Sequence, residues 1–259
     1  MTSSARWATP SRVARTALSG VLDFVLPRIC VSCGQPLHAR DDGVICSTCW
    51  SRLAFLPQPQ CLRCGHPDGG RACRFCERLR PFVRSARSVC WLPHEVGSAV
   101  VGAFKYAGWT AAAAGIAERM SRLSWPMDVV QERSAIVPVP LAPVRERERG
   151  FNQSVLIAQE LAARWRIPVW GDVLSRTRVT PTQTRLTPAD RSANVVGAFS
   201  VPMALSGARS RFRGRHLVLL DDVLTTGSTL NACAAALFDA GARTVSYVTF
   251  GRARASGDQ

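Results

Sequence analysis

Ten cysteines occur in 259 residues, and eight of them fall in four pairs with two residues between the thiols. The pairs are Cys30/Cys33, Cys46/Cys49, Cys61/Cys64 and Cys73/Cys76. The first and third pairs are followed by Gly34 and Gly65, and a plain pair comes 12 and 8 residues later. The segment is therefore a tandem repeat. Two-residue spacing lets both thiolates bind one tetrahedral Zn²⁺, and two such pairs complete its four ligands. A glycine after the second thiol permits the tight turn that aims backbone N–H groups at sulfur. The repeat favours sequential pairing, with one site from Cys30, Cys33, Cys46 and Cys49 and another from Cys61, Cys64, Cys73 and Cys76. An interleaved arrangement, and one ion rather than two, stay open. Four thiolates leave no place for substrate, so the metal is expected to be structural. So short a segment buries little core, and metal binding must supply its folding energy. Tandem pairs argue against disulfides and for a reducing, cytoplasmic setting. His38 and His66 are expected at the surface, and Cys90 and Cys233 in the core.

A second chemistry lies at residues 217–230, LVLLDDVLTTGSTL. An apolar run leads into adjacent acids, Asp221 and Asp222. A hydroxyl-rich turn follows, Thr225, Thr226, Gly227, Ser228 and Thr229, and then a helix begins. Open α/β sheets bind ligands at the carboxyl ends of central strands. A helix N-terminus with free N–H groups and hydroxyls suits a phosphate. The acids can accept from sugar hydroxyls or hold Mg²⁺ through water. Strand, acid pair and turn together describe a sugar-phosphate site.

The elements that must hold this turn alternate. Strands are expected at 86–92, 135–139, 216–220 and 244–250. Helices are expected at 95–106, 154–165 and 229–240, with Gly241 as the last cap. Strands alternating with helices imply a doubly wound parallel sheet. The predicted organisation is an N-terminal arm at 1–26, a double zinc ribbon at 27–80 and an α/β domain at 81–259. Residues 12–26 carry a short amphipathic stripe ended by Pro27. The stripe is too short to span a bilayer. No cleavage site follows it, so no signal peptide is expected. Packing on its own protein is favoured over contact with the inner face of a membrane.

The chain's text resembles two families. Residues 217–230 look like the phosphoribosyl pyrophosphate (PRPP) motif of type I phosphoribosyltransferases. The zinc repeat, FKYAG at 104–108, VPVP at 137–140, RERERGFNQ at 145–153 and the segment 176–199 resemble the ComF family of competence-associated proteins. In that order they cover residues 26 to about 250. The resemblance implies a zinc ribbon on a type I phosphoribosyltransferase sheet and a part in handling transforming DNA. It implies that Asp221 and Asp222 hold the ribose hydroxyls and Mg²⁺, and that residues Thr225 to Thr229 cradle the 5′-phosphate. The loop after VPVP, with Arg145, Arg147 and Arg149, lies where such folds bind pyrophosphate, and Lys105 is placed to reach it. Arg178 and Arg191 fall in a segment where the family has a mobile catalytic loop, with Arg176, Gln183, Arg185 and Asn194 beside them. Asn152 and Gln153 serve as substrate contacts or helix caps, with contact slightly favoured. Amidophosphoribosyltransferases are also similar, but the cysteines here form zinc pairs, which removes glutamine as an ammonia source.

Composition narrows the partners. Net charge is +15, from 33 Lys+Arg against 18 Asp+Glu. Residues 1–90 hold 13 Arg and 5 acids, a net +8 in the segment that carries the zinc repeat. Such an excess suits a polyanion, either a phosphosugar or single-stranded DNA. Lysine occurs once, at Lys105, so no Walker A loop exists and any DNA-translocating motor must be a partner. Only nine residues follow Phe250. Cover over the site is thus expected from the zinc module and residues 77–106. Trp50, Phe55, Phe75, Phe82 and Trp91 could stack bases, though most are expected in the core. Three readings follow: a Mg²⁺-dependent transferase, a PRPP sensor whose zinc module handles DNA, or an adaptor with a vestigial pocket.

Overall fold

The computed structural model describes residues 28–38, 41, 43–67, 73–177, 197–202 and 211–254. The expected arm at 1–26 and the candidates Arg178, Gln183, Arg185, Arg191 and Asn194 lie outside the described residues. Helix α1 (Ser47–Ser51) and a 3-10 turn at Arg74–Arg78 belong to the zinc segment. Then follow β1 (Val83–Leu92), α2 (Glu95–Tyr106), α3 (Ala112–Ser121), α4 (Met127–Glu132) and β2 (Arg133–Pro138). After these come α5 (Pro143–Arg149), α6 (Gln153–Trp165), and the two-residue strands β3 (Ser175–Arg176) and β4 (Phe199–Ser200). The chain closes with β5 (His216–Leu224), α7 (Ser228–Asp239) and β6 (Thr244–Ala253).

Four strands form one parallel sheet in the order β1-β6-β5-β2, and β3 pairs antiparallel with β4. Strand β5 is interior and buried on both faces, which explains its unbroken apolar run. On one face Val218 and Leu220 pack with Ile116, Ile157 and Leu161 from α3 and α6. On the other, Leu217 and Leu219 pack with Leu230, Cys233 and Leu237 from α7. Helices on both faces of a parallel sheet are the architecture expected from the alternation. Cys90 and Cys233 are fully buried, as expected.

Besides the short α1 in the zinc segment, three helices escape the sequence reading, for identifiable reasons. Helix α5 reads RERER and buries no residue, so it has no apolar stripe to detect. Pro143 at its start and the Arg145–Glu148 pair at 2.9 Å support it instead. The arginines after VPVP therefore stand on a helix rather than a loop. Helix α4 is six residues long, and α3 is an Ala-rich run that buries Ala112, Ala113, Ile116, Ala117 and Met120. Strand β5 also runs on past Leu220 through both acids to Leu224.

The zinc segment does not fold apart from the sheet. Strand β1 is at the sheet edge, and its free side is covered by residues 54–63. Leu56 N–H donates to Val89 O at 3.1 Å, Trp91 N–H to Ala54 O at 2.8 Å, and Ala86 N–H to Arg63 O at 2.7 Å. Buried Ile45, Trp50 and Leu53 join the same core as Val89 and Phe250. The Trp50 and Phe250 rings meet edge to face, 6.2 Å apart.

Candidate functional site

Both cysteine quartets close as two sets. Within Cys30/Cys33/Cys46/Cys49 and within Cys61/Cys64/Cys73/Cys76 all four Sγ atoms lie within 4.8 Å of one another. Sample separations are 3.8 Å for Cys33–Cys46, 3.5 Å for Cys61–Cys76 and 3.3 Å for Cys64–Cys73. Zn–S bonds of about 2.3 Å in a tetrahedron put sulfurs about 3.8 Å apart, so the sets fit Zn²⁺. All the thiols are free of disulfides. The two first knuckles repeat in detail. Cys30 N–H donates to Gln35 O and Cys61 N–H to His66 O, each at 2.8 Å. Gly34 N–H donates to Cys30 O and Gly65 N–H to Cys61 O. Against the upward push of burial, backbone N–H groups of Cys46, Cys33 and Ser32 bring the Cys30 thiol down to about 6. That favours the thiolate the metal needs.

The second quartet is tied to the sheet by buried arginines. Four thiolates around one Zn²⁺ leave a net charge of about −2. Arg87 and Arg252 are 3% and 7% exposed. Arg87 Nη1 donates to Cys61 O at 3.4 Å, and Arg252 Nη1 to Cys64 O at 2.6 Å. Two guanidinium charges thus offset the partly buried tetrathiolate. His66 is buried rather than at the surface, stacked 3.6 Å from the Phe75 ring, while His38 is exposed. Gly34 and Gly65 both have positive φ, +71° and +68°. A Cβ at Gly34 meets nothing within 4 Å, whereas one at Gly65 lies 2.3 Å from Ala86 O. Gly34→Ala is expected to cost about 1–2 kcal/mol, the left-handed backbone penalty alone. Gly65→Ala adds a backbone clash and is expected to lower the melting temperature further and loosen the second zinc. Equal melting temperatures in the two variants would contradict this docking.

At the carboxyl end of β5 a cavity of about 220 Å³ is lined by Lys105, Asp221, Asp222, Thr225, Gly227, Ser228 and Thr229. Lys105 Nζ lies 2.5 Å from Asp222 Oδ2. Asp221 Oδ1 accepts from Asp222 N–H at 2.9 Å and from Ser154 Oγ at 3.3 Å. Burial, and next the Asp222 charge, push the Asp221 carboxyl up to about 7. Burial works against the Lys105 ammonium, but the Asp222 carboxylate outweighs it and raises the lysine pKa. Gly227, with φ +81°, starts α7 without a side-chain cap, so the first-turn N–H groups face the turn. Thr226 Oγ1 and Ser228 Oγ lie 2.8 Å apart.

A second cavity, about 420 Å³, shares Lys105 and is lined by Tyr106, Arg145, Glu148, Arg149 and Phe151. Arg149 Nη1 donates to Gln153 Oε1 at 2.9 Å, and its guanidinium lies 5.8 Å from the Tyr106 ring. Lys105, Arg145 and Arg149 are thus brought together beside the acid pair. Arg147 is exposed on α5 and lines neither cavity. Asn152 is the cap of α6, its Oδ1 accepting from Ser154 N–H at 2.9 Å and its Nδ2 donating to Val139 O at 3.1 Å. That geometry favours capping over substrate contact. Ser154, which holds Asp221, was missed by the sequence reading. Its only signal was its place just after the FNQ text.

A third cavity, about 550 Å³, is lined jointly by the first ribbon, the 55–60 segment, β1 and the end of α3. Trp50, Phe55, Gln58, Gln60, Arg119 and Arg122 help to line it. Arg119 lies 3.7 Å over the Trp50 ring. Of the five aromatics offered for stacking, Trp50 and Trp91 are buried, Phe75 packs on His66, and Phe82 packs on Phe238 at 4.2 Å. Phe55 keeps 50% of its surface exposed.

A model of the double zinc ribbon domain matches residues 21–90. The DNA utilization protein YhgH of Escherichia coli O157:H7 is 33% identical over 234 residues, covering 86% of this chain and 96% of that protein. Competence protein F of Haemophilus influenzae is 32% identical, covering 78% and 87%. Competence protein ComFC of Bacillus subtilis is 26% identical, covering 78% and 81%. The chain belongs to the ComF family. Among solved structures, this ComF-family chain is similar to the glutamine PRPP amidotransferase of B. subtilis, with 20% identity and a TM-score of 0.36. That match covers 54% of the ComF-family chain and 26% of the amidotransferase chain. Among the described residues no helix is long and apolar enough to cross a membrane.

Proposed function

We propose that the chain binds PRPP with Mg²⁺ at the end of β5 and acts as a phosphoribosyltransferase in the handling of DNA. The observation that carries this reading is the sharing of Lys105 by two cavities of complementary chemistry. One offers hydroxyls, helix N–H groups and an acid pair; the other offers Arg145, Arg149 and the same lysine. PRPP has matching ends, a 5′-phosphate and a pyrophosphate on either side of a ribose diol. Thr225, Ser228 and Thr229 would hold the 5′-phosphate, with Thr226 and Gly227 shaping the turn. Asp221 and Asp222 would accept from the ribose hydroxyls and are the carboxylates that would hold Mg²⁺. When bound, Mg²⁺ neutralises part of the pyrophosphate charge. The arginines orient that group and stabilise it as it leaves. In the transfer, the bond from ribose C1 to pyrophosphate breaks with its electron pair on pyrophosphate, and the acceptor forms the new bond at C1.

Calorimetry with PRPP and Mg²⁺ tests the reading. Saturable binding at one site supports it, and no binding by the wild-type chain sinks it. Pyrophosphate release that requires an added acceptor supports transferase over sensor. The names of the relatives, DNA utilization and competence proteins, support a DNA-linked role for the ComF-family chain.

The third cavity favours a direct DNA contact at the zinc module. It sets an exposed Phe55 ring beside Gln58 and Gln60 amides and the Arg119 and Arg122 guanidiniums. Bases stack on such rings while arginines follow the phosphates. Single-stranded DNA is expected to shift in a gel, with affinity falling steeply as salt rises. Phe55→Ala is expected to weaken the shift about 5- to 150-fold, the value of one stacked base at about 1–3 kcal/mol. An unchanged shift in that variant places DNA elsewhere.

A further inference from the structure

The second zinc ribbon reaches the other side of the 225–229 turn. Asn231, one turn into α7, donates from Nδ2 to Arg78 O at 2.8 Å, in the 3-10 turn between the last zinc thiols and β1. Its Oδ1 accepts from Tyr247 OH at 3.0 Å, and its N–H donates to Gly227 O at 2.8 Å. One side chain therefore ties the ribbon, the sheet and the turn. A small cavity sits at this junction, with Arg78, Thr225, Thr226, Gly227 and Arg252 in its wall. Arg252 is 7% exposed and is itself bound to Cys64 O. Arg78 is exposed, with its guanidinium 5.0 Å from the Phe75 ring. Two ribbon-linked cations thus border the back of a turn whose front faces the acid pair.

We propose that the second ribbon is part of the anion site: Arg78 supplies a cation to a phosphate on the turn, and Asn231 is the positioning residue through which zinc at Cys61, Cys64, Cys73 and Cys76 fixes the turn's shape. Zinc occupancy then sets how tightly a phosphate is held. This rests on the reading of residues 225–229 as a phosphate turn, and it assigns the zinc a role in ligand affinity besides folding. The geometry explains why Asn231 is polar at this position. An apolar residue would leave the Arg78 carbonyl and the Tyr247 hydroxyl without their partner.

The test uses the full chain, the Asn231→Ala and Arg78→Ala variants, and zinc content measured for each. Amide hydrogen exchange needs no ligand. In Asn231→Ala, with both zincs retained, protection across 225–230 is expected to fall at least about tenfold, while β5 and β6 keep theirs. Unchanged protection overturns the coupling. PRPP with Mg²⁺ is then titrated. Arg78→Ala, which leaves the Asn231 bond to its backbone carbonyl intact, is expected to bind about tenfold more weakly with unaltered exchange. Wild-type affinity in both variants overturns the proposal. Loosened exchange in Asn231→Ala with no PRPP binding by the wild type would uphold the coupling and remove the phosphate reading instead. A merely structural Asn231 would lower the melting temperature and leave PRPP affinity alone, an outcome that also counts against the proposal.

Discussion

Asp222→Asn is expected to weaken binding of PRPP with Mg²⁺ by at least about 100-fold, or about 2.8 kcal/mol. The carboxylate is 7% exposed and pairs with Lys105 at 2.5 Å. The substitution keeps shape but removes the charge that a divalent cation needs. It also removes the ion-pair partner of the Lys105 ammonium and leaves Asp221 as its acidic neighbour, so stability should fall too, by about 1–3 kcal/mol after allowing for partial exposure of the pair. A double variant, Lys105→Met with Asp222→Asn, removes both charges. It is expected to recover stability but not affinity, which separates the two effects by calorimetry and thermal melting. Full affinity in Asp222→Asn would take the acid pair out of the site. The pH dependence gives a second check. On the proposed reading Mg²⁺ needs Asp221 ionised, and burial with the Asp222 charge pushes this carboxyl up to about 7, so affinity should rise between about pH 6 and pH 8. Asp221→Asn should flatten that profile. For the ligand-free chain the sign is opposite. The folded state keeps the Asp221 proton up to about pH 7, whereas the unfolded chain releases it near 3.8. This group therefore favours folding less as pH rises through that window.

How much of this was legible in the text depends on whether chemistry or packing wrote the residue. Cysteine spacing is a local constraint of metal geometry, so both quartets could be read directly. Asp221 to Thr229 lie on one strand, turn and helix start, and the alternation that places them is also local. Ser154, Arg78, Asn231 and Arg252 are different. Ser154, Arg78 and Arg252 come to the site from elements far away in sequence, and Asn231, though only two residues past Thr229, meets Arg78 and Tyr247 from such elements; no spacing announces these contacts. His66 misled for the same reason. A lone histidine beside a thiol cluster gives no sign of the Phe75 face that buries it. Helix α5 misled through its composition, since charges on every face leave no stripe to read. The sequence also carried no sign that the zinc segment would complete the sheet edge.

That edge makes zinc removal the larger perturbation. A structural zinc contributes about 10–16 kcal/mol of apparent binding free energy in small zinc domains, and whole domains are stable by about 5–15 kcal/mol. Stripping both ions is thus expected to cost more than the fold can spare. The loss should not stop at residue 80. Ile45, Trp50 and Leu53 share a core with Val89 and Phe250, and the 54–63 segment caps the outer side of β1. Without it, β1 presents a normally buried strand with unpaired backbone groups, which is a template for association. Buried Arg87 and Arg252 would also lose the thiolate charge beside them and be left in a site of low polarity. Chelation is therefore expected to give one cooperative loss of structure across both modules, followed by aggregation. Far-UV circular dichroism, light scattering and zinc content, followed together during chelation, check this. The Cys64→Ser variant should resemble the stripped protein more than Cys33→Ser does, because Cys64 is buried against the sheet and Cys33 is exposed. A sheet that keeps its melting transition after both zincs are gone would show that the ribbons decorate the fold instead of closing it.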